Sequence, residues 1–267
     1  MKIRNLLVMA AFLMLFSCAE KRANPLIQNL DKSWIVTTDT LNIKMEVDVP
    51  SVIQADMYEN GLIPHPYKSN IESQLHWIPQ HEWEYSLDFK AEDYILREDV
   101  IELVFEGLDT YADVWMNGKK ILHADNMFRT YSYDVKDIIK ETNNIKIKFY
   151  PFDKERDSLI ETYPLRFPEK YAVMRKAAYQ NGWDWAPRYM NMGIWQPVYL
   201  KAWTRSTICS ASVITNEIHD DKADLFFEAC INADVEHDIT LQLFQENEKI
   251  LDKNIDLKVG KNYYSFP

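Results

Sequence analysis

The sequence predicts an all-β protein in which short strands are separated by polar turns. The clearest observation is a hairpin, because residues 111–116 alternate, Asn117-Gly118 follows, and residues 119–123 return. Both turn residues tolerate positive φ, which a two-residue hairpin loop requires. A second observation is that five more short strands follow Trp203, again separated by polar turns. Short strands are therefore the dominant signal along the chain.

The strands of the first part can be placed from their apolar residues. Residues 100–105 are almost continuously apolar and predict a strand that is buried on both faces. Residues 135–141 predict a short helical turn that Asp134 caps. Residues 151–178 contain three prolines and no clear period, so they predict a long ordered loop with some helix, and such loops are usually functional. The predicted strands are 83–89, 100–105, 111–116, 119–123, 128–133, 144–150 and 195–200.

A boundary is expected after residue 205, because the pattern of the last part is regular. Its predicted strands are 207–215, 222–232, 239–246, 249–257 and 262–267. An immunoglobulin-like sandwich typically needs about seven strands. Residues 206–267 are therefore expected to form such a sandwich, incompletely.

Composition excludes several classes of function. The chain has 267 residues, of which 47% are hydrophobic, and its net charge of −11 argues against a general nucleic-acid binder. Only 6 glycines are present, and no GxGxxG or GxxxxGK[ST] motif occurs, so a nucleotide cofactor is not expected. The 6 histidines are scattered without HExxH or a Cys/His cluster, and we therefore predict no metal and no cofactor.

The first residues indicate export. Lys2 and Arg4 precede an apolar stretch over residues 5–16, and Leu15-Phe16-Ser17-Cys18 resembles a bacterial lipobox. We expect residues 1–18 to be a lipoprotein signal with Cys18 lipidated, and residues 19–30 to be a tether. Ordinary signal-peptidase cleavage nearby is the alternative. The predicted location is the periplasm or the outer membrane, with membrane contact only through the lipid.

Two further cysteines fall in consecutive predicted strands. In an exported protein Cys209 and Cys230 can form a disulfide. The alternative is that both remain free thiols.

A cluster of tryptophans marks the candidate site. Residues 175–203 contain four of the chain's 8 tryptophans, and Asp184 stands between Trp183 and Trp185. A flat indole suits the C–H face of a sugar, and a carboxylate accepts hydrogen bonds from neighbouring hydroxyls. The alternative is a packed aromatic corner in which Asp184 bonds to backbone.

Six segments occur in an order that is informative as a set. They are NGLIPHPY at 60–67, QLHWIPQHEWEY at 74–85, GLDTYADVWMNG at 107–118, NMFR at 126–129, RKAAYQNGWDWAPR at 175–188 and GIWQPV at 193–198. Over about residues 34–205 the chain resembles the amino-terminal half of the β-mannosidases of glycoside hydrolase family 2. It departs from the family pattern at Asn181, Ala186, Gln196 and residues 51–56, which affects fine substrate contacts more than the fold.

The resemblance implies a jelly-roll, galactose-binding-like domain over residues 31–205, then the immunoglobulin-like domain, then a TIM barrel that carries catalysis. It also implies that Trp183 supports the face of a terminal mannose and that Asp184 accepts from its hydroxyls. By the same resemblance, Asn126 and Arg129 fix a loop. Arg175 and Arg188 either orient Asp184 or pair structurally, and we favour the structural role for both. The implied activity is exo-acting removal of terminal β-mannose from manno-oligosaccharides.

The catalytic carboxylates of such an enzyme are not expected in this chain. Retaining glycosidases need two carboxyl groups about 5–5.5 Å apart, and in this family the acid/base lies in an Asn-Glu dipeptide on a barrel strand. Asn216-Glu217 and Asn247-Glu248 lie in predicted polar turns without βα alternation. We therefore expect the chain alone to be inactive. The alternatives are a stand-alone carbohydrate-binding module and another exo-glycosidase of family 2, such as a β-galactosidase.

Overall fold

The computed structural model describes residues 25–38, 40–162, 166 and 169–267. The expected signal, Cys18 and the first part of the expected tether lie outside these residues. Within the described residues, no helix is both long and apolar enough to cross a membrane.

The described residues are mostly strands, so the predicted all-β class is confirmed. The strands are β1 (Leu26–Asn29), β2 (Trp34–Thr38), β3 (Ile43–Val47), β4 (Trp83–Lys90), β5 (Val100–Phe105), β6 (Ala112–Met116), β7 (Lys119–Ala124), β8 (Tyr131–Asp134), β9 (Thr142–Phe149), β10 (Val198–Trp203), β11 (Ser206–Ile218), β12 (Ala223–Ala233), β13 (His237–Gln245), β14 (Glu248–Leu257) and β15 (Gly260–Phe266). The helices are α1 (Ile53–Glu59), α2 (Ile71–Leu75), α3 (Asp93–Leu96) and α4 (Phe152–Thr162).

Two antiparallel sheets form the first part of the molecule. One has the strand order β3-β2-β4-β9-β6-β7, and the other has the order β1-β10-β5-β8. Their inward side chains form one continuous core that includes Trp34, Tyr85 and Phe149 from the first sheet and Leu103 and Leu200 from the second. The alternation predicted for β6 is confirmed, since its first, third and fifth residues are buried. The loops of the site extend from this sandwich.

The predicted tether is wrong over its last residues. Leu26–Asn29 is an edge strand that pairs with β10, and Leu30 is buried in the core. A four-residue strand carries little local signal, and its partner Val198–Trp203 is far away in the sequence, so only the tertiary structure reveals it.

The short helical turn predicted over residues 135–141 is confirmed, because the Ile139 amide donates to the Val135 carbonyl at 2.8 Å and Asp134 Oδ1 accepts from the Lys136 amide at 2.9 Å, as a cap would. The helix expected within residues 151–178 is present as the eleven-residue α4.

One predicted strand needs correction. The strand expected at 195–200 begins at Val198, after Pro197, which has no amide to donate to a ladder, and Trp195 donates its indole N–H to the Met127 carbonyl at 3.0 Å.

The five strands predicted after residue 205 are all present, as β11 to β15. They form a β11-β12-β15 sheet and a β13-β14 hairpin, with a small core that includes Ile231, Leu241 and Leu257. Cys209 is exposed and Cys230 is buried, and both are free thiols.

A buried carboxylate lies between α1 and β4. Asp56 is only 2% exposed and accepts hydrogen bonds from the Ser51 hydroxyl and from Tyr85 Oη, the latter at 3.2 Å. Burial raises the pKa of Asp56 to about 6, because a charged carboxylate is poorly solvated there. The hydrogen bonds oppose this shift without cancelling it.

The raised pKa of Asp56 gives the protein a pH-dependent stability. The pKa of Asp56 is about 6 in the folded protein and roughly 3.9 in an unfolded chain. The free energy of unfolding is therefore highest below about pH 4, where Asp56 is protonated in both states, and it falls as the pH rises through 6. We expect Asp56→Asn to be more stable than wild type at pH 7.5 by roughly 3 kcal/mol and close to it at pH 4. Urea unfolding at both pH values measures this difference. Asp137→Asn, at an exposed position, is the control, and a constant difference between Asp56→Asn and wild type at the two pH values would contradict the assignment.

Candidate functional site

The Trp183-Asp184-Trp185 segment is the tip of a tight turn. The Trp183 amide donates to the Ala186 carbonyl at 3.0 Å, and the Ala186 amide donates back to the Trp183 carbonyl at 3.2 Å. Gly182 leads into this turn with φ of 82°, and a Cβ there would lie 3.0 Å from Arg188 Cβ. Glycine is thus required both for its backbone conformation and for the close approach of the returning chain.

The turn presents its side chains to solvent. Trp183 is 66% exposed, Trp185 is 84% exposed, and Asp184 is also exposed. Within the described part of the chain, no group forms a hydrogen bond or an ion pair with the Asp184 carboxylate. The packed aromatic corner considered above therefore does not describe this loop. Two free indole faces and a free acceptor remain available to a ligand.

These side chains line an open cleft of about 670 Å³. The cleft places the Asp184 carboxylate among aromatic, amide and charged groups, which can hold a polar ligand that also has apolar faces. Its lining residues are Glu72, Glu169, Tyr171, Asn181, Gly182, Trp183, Asp184, Trp185, Ala186, Pro187 and Arg188.

A buried ion pair anchors the loop to the sandwich. The Lys176 ammonium contacts Asp109 Oδ1, and both side chains are 1% exposed. Lys176 Nζ also donates to the Asn191 carbonyl at 2.6 Å. Gln180 completes the network, because its Nε2 donates to Asp109 Oδ2 at 2.9 Å and its Oε1 accepts from the Asn191 amide at 2.8 Å. Burial lowers the pKa of Lys176, while the neighbouring Asp109 carboxylate opposes this shift.

The same network fixes both sides of the loop. Asp109 exchanges backbone hydrogen bonds with Gly193 at 2.9 and 3.0 Å, and Lys176 lies where the chain enters the loop. The Asn191 groups that Lys176 and Gln180 contact lie where the chain leaves it. Entry and exit are thus held by a single buried cluster, which we call the Lys176 anchor (Asp109, Lys176, Gln180 and the Asn191 backbone).

The other predicted loop residues have mixed outcomes. Asn126 Oδ1 accepts from the Phe128 amide at 2.9 Å, so its loop-fixing role is confirmed, and Arg129 lies 3.6 Å from Asp125. Arg175 and Arg188 act through their backbone, since the Arg175 carbonyl accepts from Met127 and the Arg188 amide donates to Glu72. Neither guanidinium forms an ion pair with any residue that the structure describes.

The two Asn-Glu dipeptides lie elsewhere. Glu217 is exposed near the end of β11, and Glu248 is exposed at the start of β14, in a different hairpin. Among the described residues, Glu217 forms the one candidate metal cluster, with His219 and Asp224. All three are exposed, and His219 Nε2 already lies 3.1 Å from Asp224 Oδ2 in a hydrogen bond.

Comparison with known proteins identifies the family. The model of the glycosyl hydrolase 2 galactose-binding domain-like family matches residues 29–196. β-Mannosidase of Mus musculus is 29% identical over 187 residues, which are 66% of this chain and 21% of that protein. β-Mannosidase A of Emericella nidulans is 31% identical, over 64% of this chain and 19% of that protein.

Solved structures agree with this result. The β-D-mannosidase from Dictyoglomus thermophilum superposes with a TM-score of 0.80 at 28% identity, covering 91% of this chain and 31% of that one. An exo-chitosanase from Amycolatopsis orientalis, at 20% identity and a TM-score of 0.70, shares the fold. The chain spans about a fifth of the length of the curated β-mannosidases named above. The chain belongs to the glycosyl hydrolase 2 galactose-binding domain-like family.

Proposed function

We propose that this chain is the amino-terminal part of an exo-acting β-mannosidase that removes terminal β-D-mannose from manno-oligosaccharides. The observation that carries the proposal is the unpaired Asp184 carboxylate between two exposed indoles at the wall of an open cleft. The similarity to β-mannosidases over the sandwich supports the choice of sugar.

The chemistry of the cleft fits a neutral sugar. An exposed indole loses unfavourable contact with water when a pyranose C–H face covers it, and Trp183 offers such a face. The Asp184 carboxylate can accept hydrogen bonds from two adjacent hydroxyls of the sugar, because no described group of the loop occupies its oxygens. In this proposal Trp183 supports the ring and Asp184 fixes its orientation, while Trp185 forms the outer wall.

Catalysis is proposed to reside in a barrel that follows this chain in the longer protein. Hydrolysis with retention needs an acid/base and a nucleophile about 5–5.5 Å apart, whereas Glu217 and Glu248 lie on separate hairpins. The role of this chain is then to complete the sugar site, not to cleave the bond.

Expression of the complete reading frame tests the proposal. We expect its product to release p-nitrophenol from the β-D-mannoside at least about tenfold faster, in kcat/KM, than from the β-galactoside or the β-glucosaminide, a difference of about 1.4 kcal/mol. The 267-residue chain alone is expected to release none. A preference for another glycoside would assign a different exo-glycosidase, and mannoside binding by a product without any hydrolase activity would indicate a binding module.

We also propose that the protein is exported as a lipoprotein anchored through Cys18, which the lipobox-like segment supports. In a bacterial host, labelled palmitate is expected to enter the protein and to be lost in Cys18→Ser. Cys209→Ser is the matched control and should keep the label. Equal labelling of all three proteins would refute the anchor at Cys18.

A further inference from the structure

A second, smaller cavity lies beside the tryptophan cleft. It has a volume of about 110 Å³ and is bounded by α1, the end of α2, the turn Ile78–Gln80 and the start of α4. Arg188 lines both this cavity and the larger cleft. We call it the Gln54 cavity, after one of the buried residues that line it.

Two polar atoms of this cavity have no hydrogen-bond partner. Gln54 is 6% exposed, and its Nε2 donates to the Met190 carbonyl at 2.8 Å, but its Oε1 accepts from no described group. His76 Nε2 is also buried, and it lies 3.5 Å from Glu72 Oε1 without completing a hydrogen bond. An unsatisfied buried acceptor costs roughly 1–3 kcal/mol. The amide of Gln54 is held in place by its other end, so its oxygen is an acceptor of fixed direction.

The charges around the cavity select the kind of partner. Gln54 Oε1 needs a donor, which a simple anion cannot supply. A cation would lie near the Arg188 guanidinium, which has no ion-pair partner among the described residues, and the Asp153 carboxylate is already paired with Arg156. A hydroxyl group both donates and accepts, so it can satisfy Gln54 Oε1 and also accept from Arg188 or Gln80.

The remaining walls are apolar. Leu75, Pro79, Phe152 and Met190 are all buried and line the same cavity. Apolar walls with a few fixed polar groups are typical of small-molecule sites, and here they suit the C–H surfaces of a carbon ring.

We propose that the Gln54 cavity binds one edge of a neutral polyhydroxylated ligand of monosaccharide class, with Gln54 Oε1 as the acceptor of a ligand hydroxyl. The rest of the ring lies outside, because the cavity is smaller than the roughly 150 Å³ that encloses a benzene ring. This proposal does not depend on the β-mannosidase assignment, because it uses neither Trp183 nor Asp184. Arg188 is positioned to contact ligands in both places.

The experiment titrates the full chain with D-mannose and follows two sets of NMR signals. The methyl groups of Leu75 and Met190 report on the cavity, and the indole N–H groups of Trp183 and Trp185 report on the cleft. We expect mannose to shift the methyl signals in a saturable way. Tetrahydropyran, which has the ring without the hydroxyls, is expected to bind at least about tenfold more weakly.

Gln80→Trp blocks the mouth of the cavity, because Gln80 is exposed and lines it. We expect this variant to lose the methyl shifts and to keep any shift of the indole signals. Gln74→Trp is the matched control, an exposed helix position outside the cavity, and it should behave as wild type. Should Gln80→Trp fail to fold, His76→Phe removes a polar lining group and is expected to weaken the methyl response by about tenfold.

The outcomes separate this inference from the proposed function. Methyl signals that do not move with mannose, that survive Gln80→Trp, or that respond equally to tetrahydropyran would overturn the inference. Indole signals that do not move bear only on the Trp183 and Asp184 assignment. Methyl shifts without indole shifts would support the cavity and leave the proposed function to the kinetic test, because a catalytic domain is proposed to complete the Trp183 cleft.

Discussion

Lys176→Met is expected to lower the free energy of unfolding by about 3–5 kcal/mol, the cost of breaking a buried ion pair from one side. The substitution leaves the Asp109 carboxylate at 1% exposure without its cation. Gln180 and the Thr110 hydroxyl continue to donate to Asp109, but neutral donors cannot replace an ammonium. Chemical denaturation of the chain measures the loss.

The matched control is Lys148→Met, which breaks an ion pair with Glu82 at the protein surface. Exposed pairs contribute about 1 kcal/mol or less, so this variant should differ little from wild type. The double variant Lys176→Met with Asp109→Asn removes the unpaired charge and should recover part of the loss. Equal stabilities of Lys176→Met and Lys148→Met would show that the Lys176 anchor is not a stabilising element.

Asp184→Ala in a longer protein with a catalytic domain is expected to lower kcat/KM for a β-mannoside by about 100-fold or more. Each hydrogen bond to a charged acceptor contributes about 1.5–3 kcal/mol, and about 1.4 kcal/mol corresponds to a factor of ten. Stability should be unchanged, because Asp184 is exposed and no described group depends on it. Steady-state kinetics and a melting curve on the same preparation measure both quantities.

Two variants sharpen this result. Asp184→Asn keeps the shape of the side chain and one hydrogen-bond acceptor, so its kcat/KM should lie between those of wild type and Asp184→Ala. Glu169→Gln changes another carboxylate of the same cleft and should have a small effect. If Glu169→Gln lowered kcat/KM as much as Asp184→Ala, the activity would depend on the total negative charge of the cleft and not on the position of Asp184.

The sequence was informative where the signal is local. The hairpin at Asn117-Gly118 and the alternation of β6 follow from neighbouring residues, and the structure has both. The exposed Trp183 and Trp185 likewise belong to one short segment with a recognisable motif. The family resemblance extended this to the sandwich as a whole.

The parts that could not be predicted depend on distant partners. Lys176 and Asp109 are 67 residues apart, and nothing near either one indicates that both are buried. Two adjacent basic residues in a polar loop are normally expected to be solvated. This holds for Arg175, which is exposed, but Lys176 is buried. The Gln54 cavity likewise needs α1, α2 and α4 to be assembled before its unsatisfied oxygen becomes visible.

The position of β10 between β1 and β5 has a consequence for how the chain folds. Its pairing of Leu26 with Ala202 is of very long range, so the four-stranded sheet stays incomplete until almost the whole sandwich has been synthesised. At roughly 5–20 residues per second, synthesis of the intervening chain takes about 10–35 seconds. During that interval β1 has an open edge, and β5 has one as soon as Phe105 has been made, and open edges promote aggregation. Any shortened version that ends before Val198 keeps those edges, so we expect it to be less soluble than the complete sandwich.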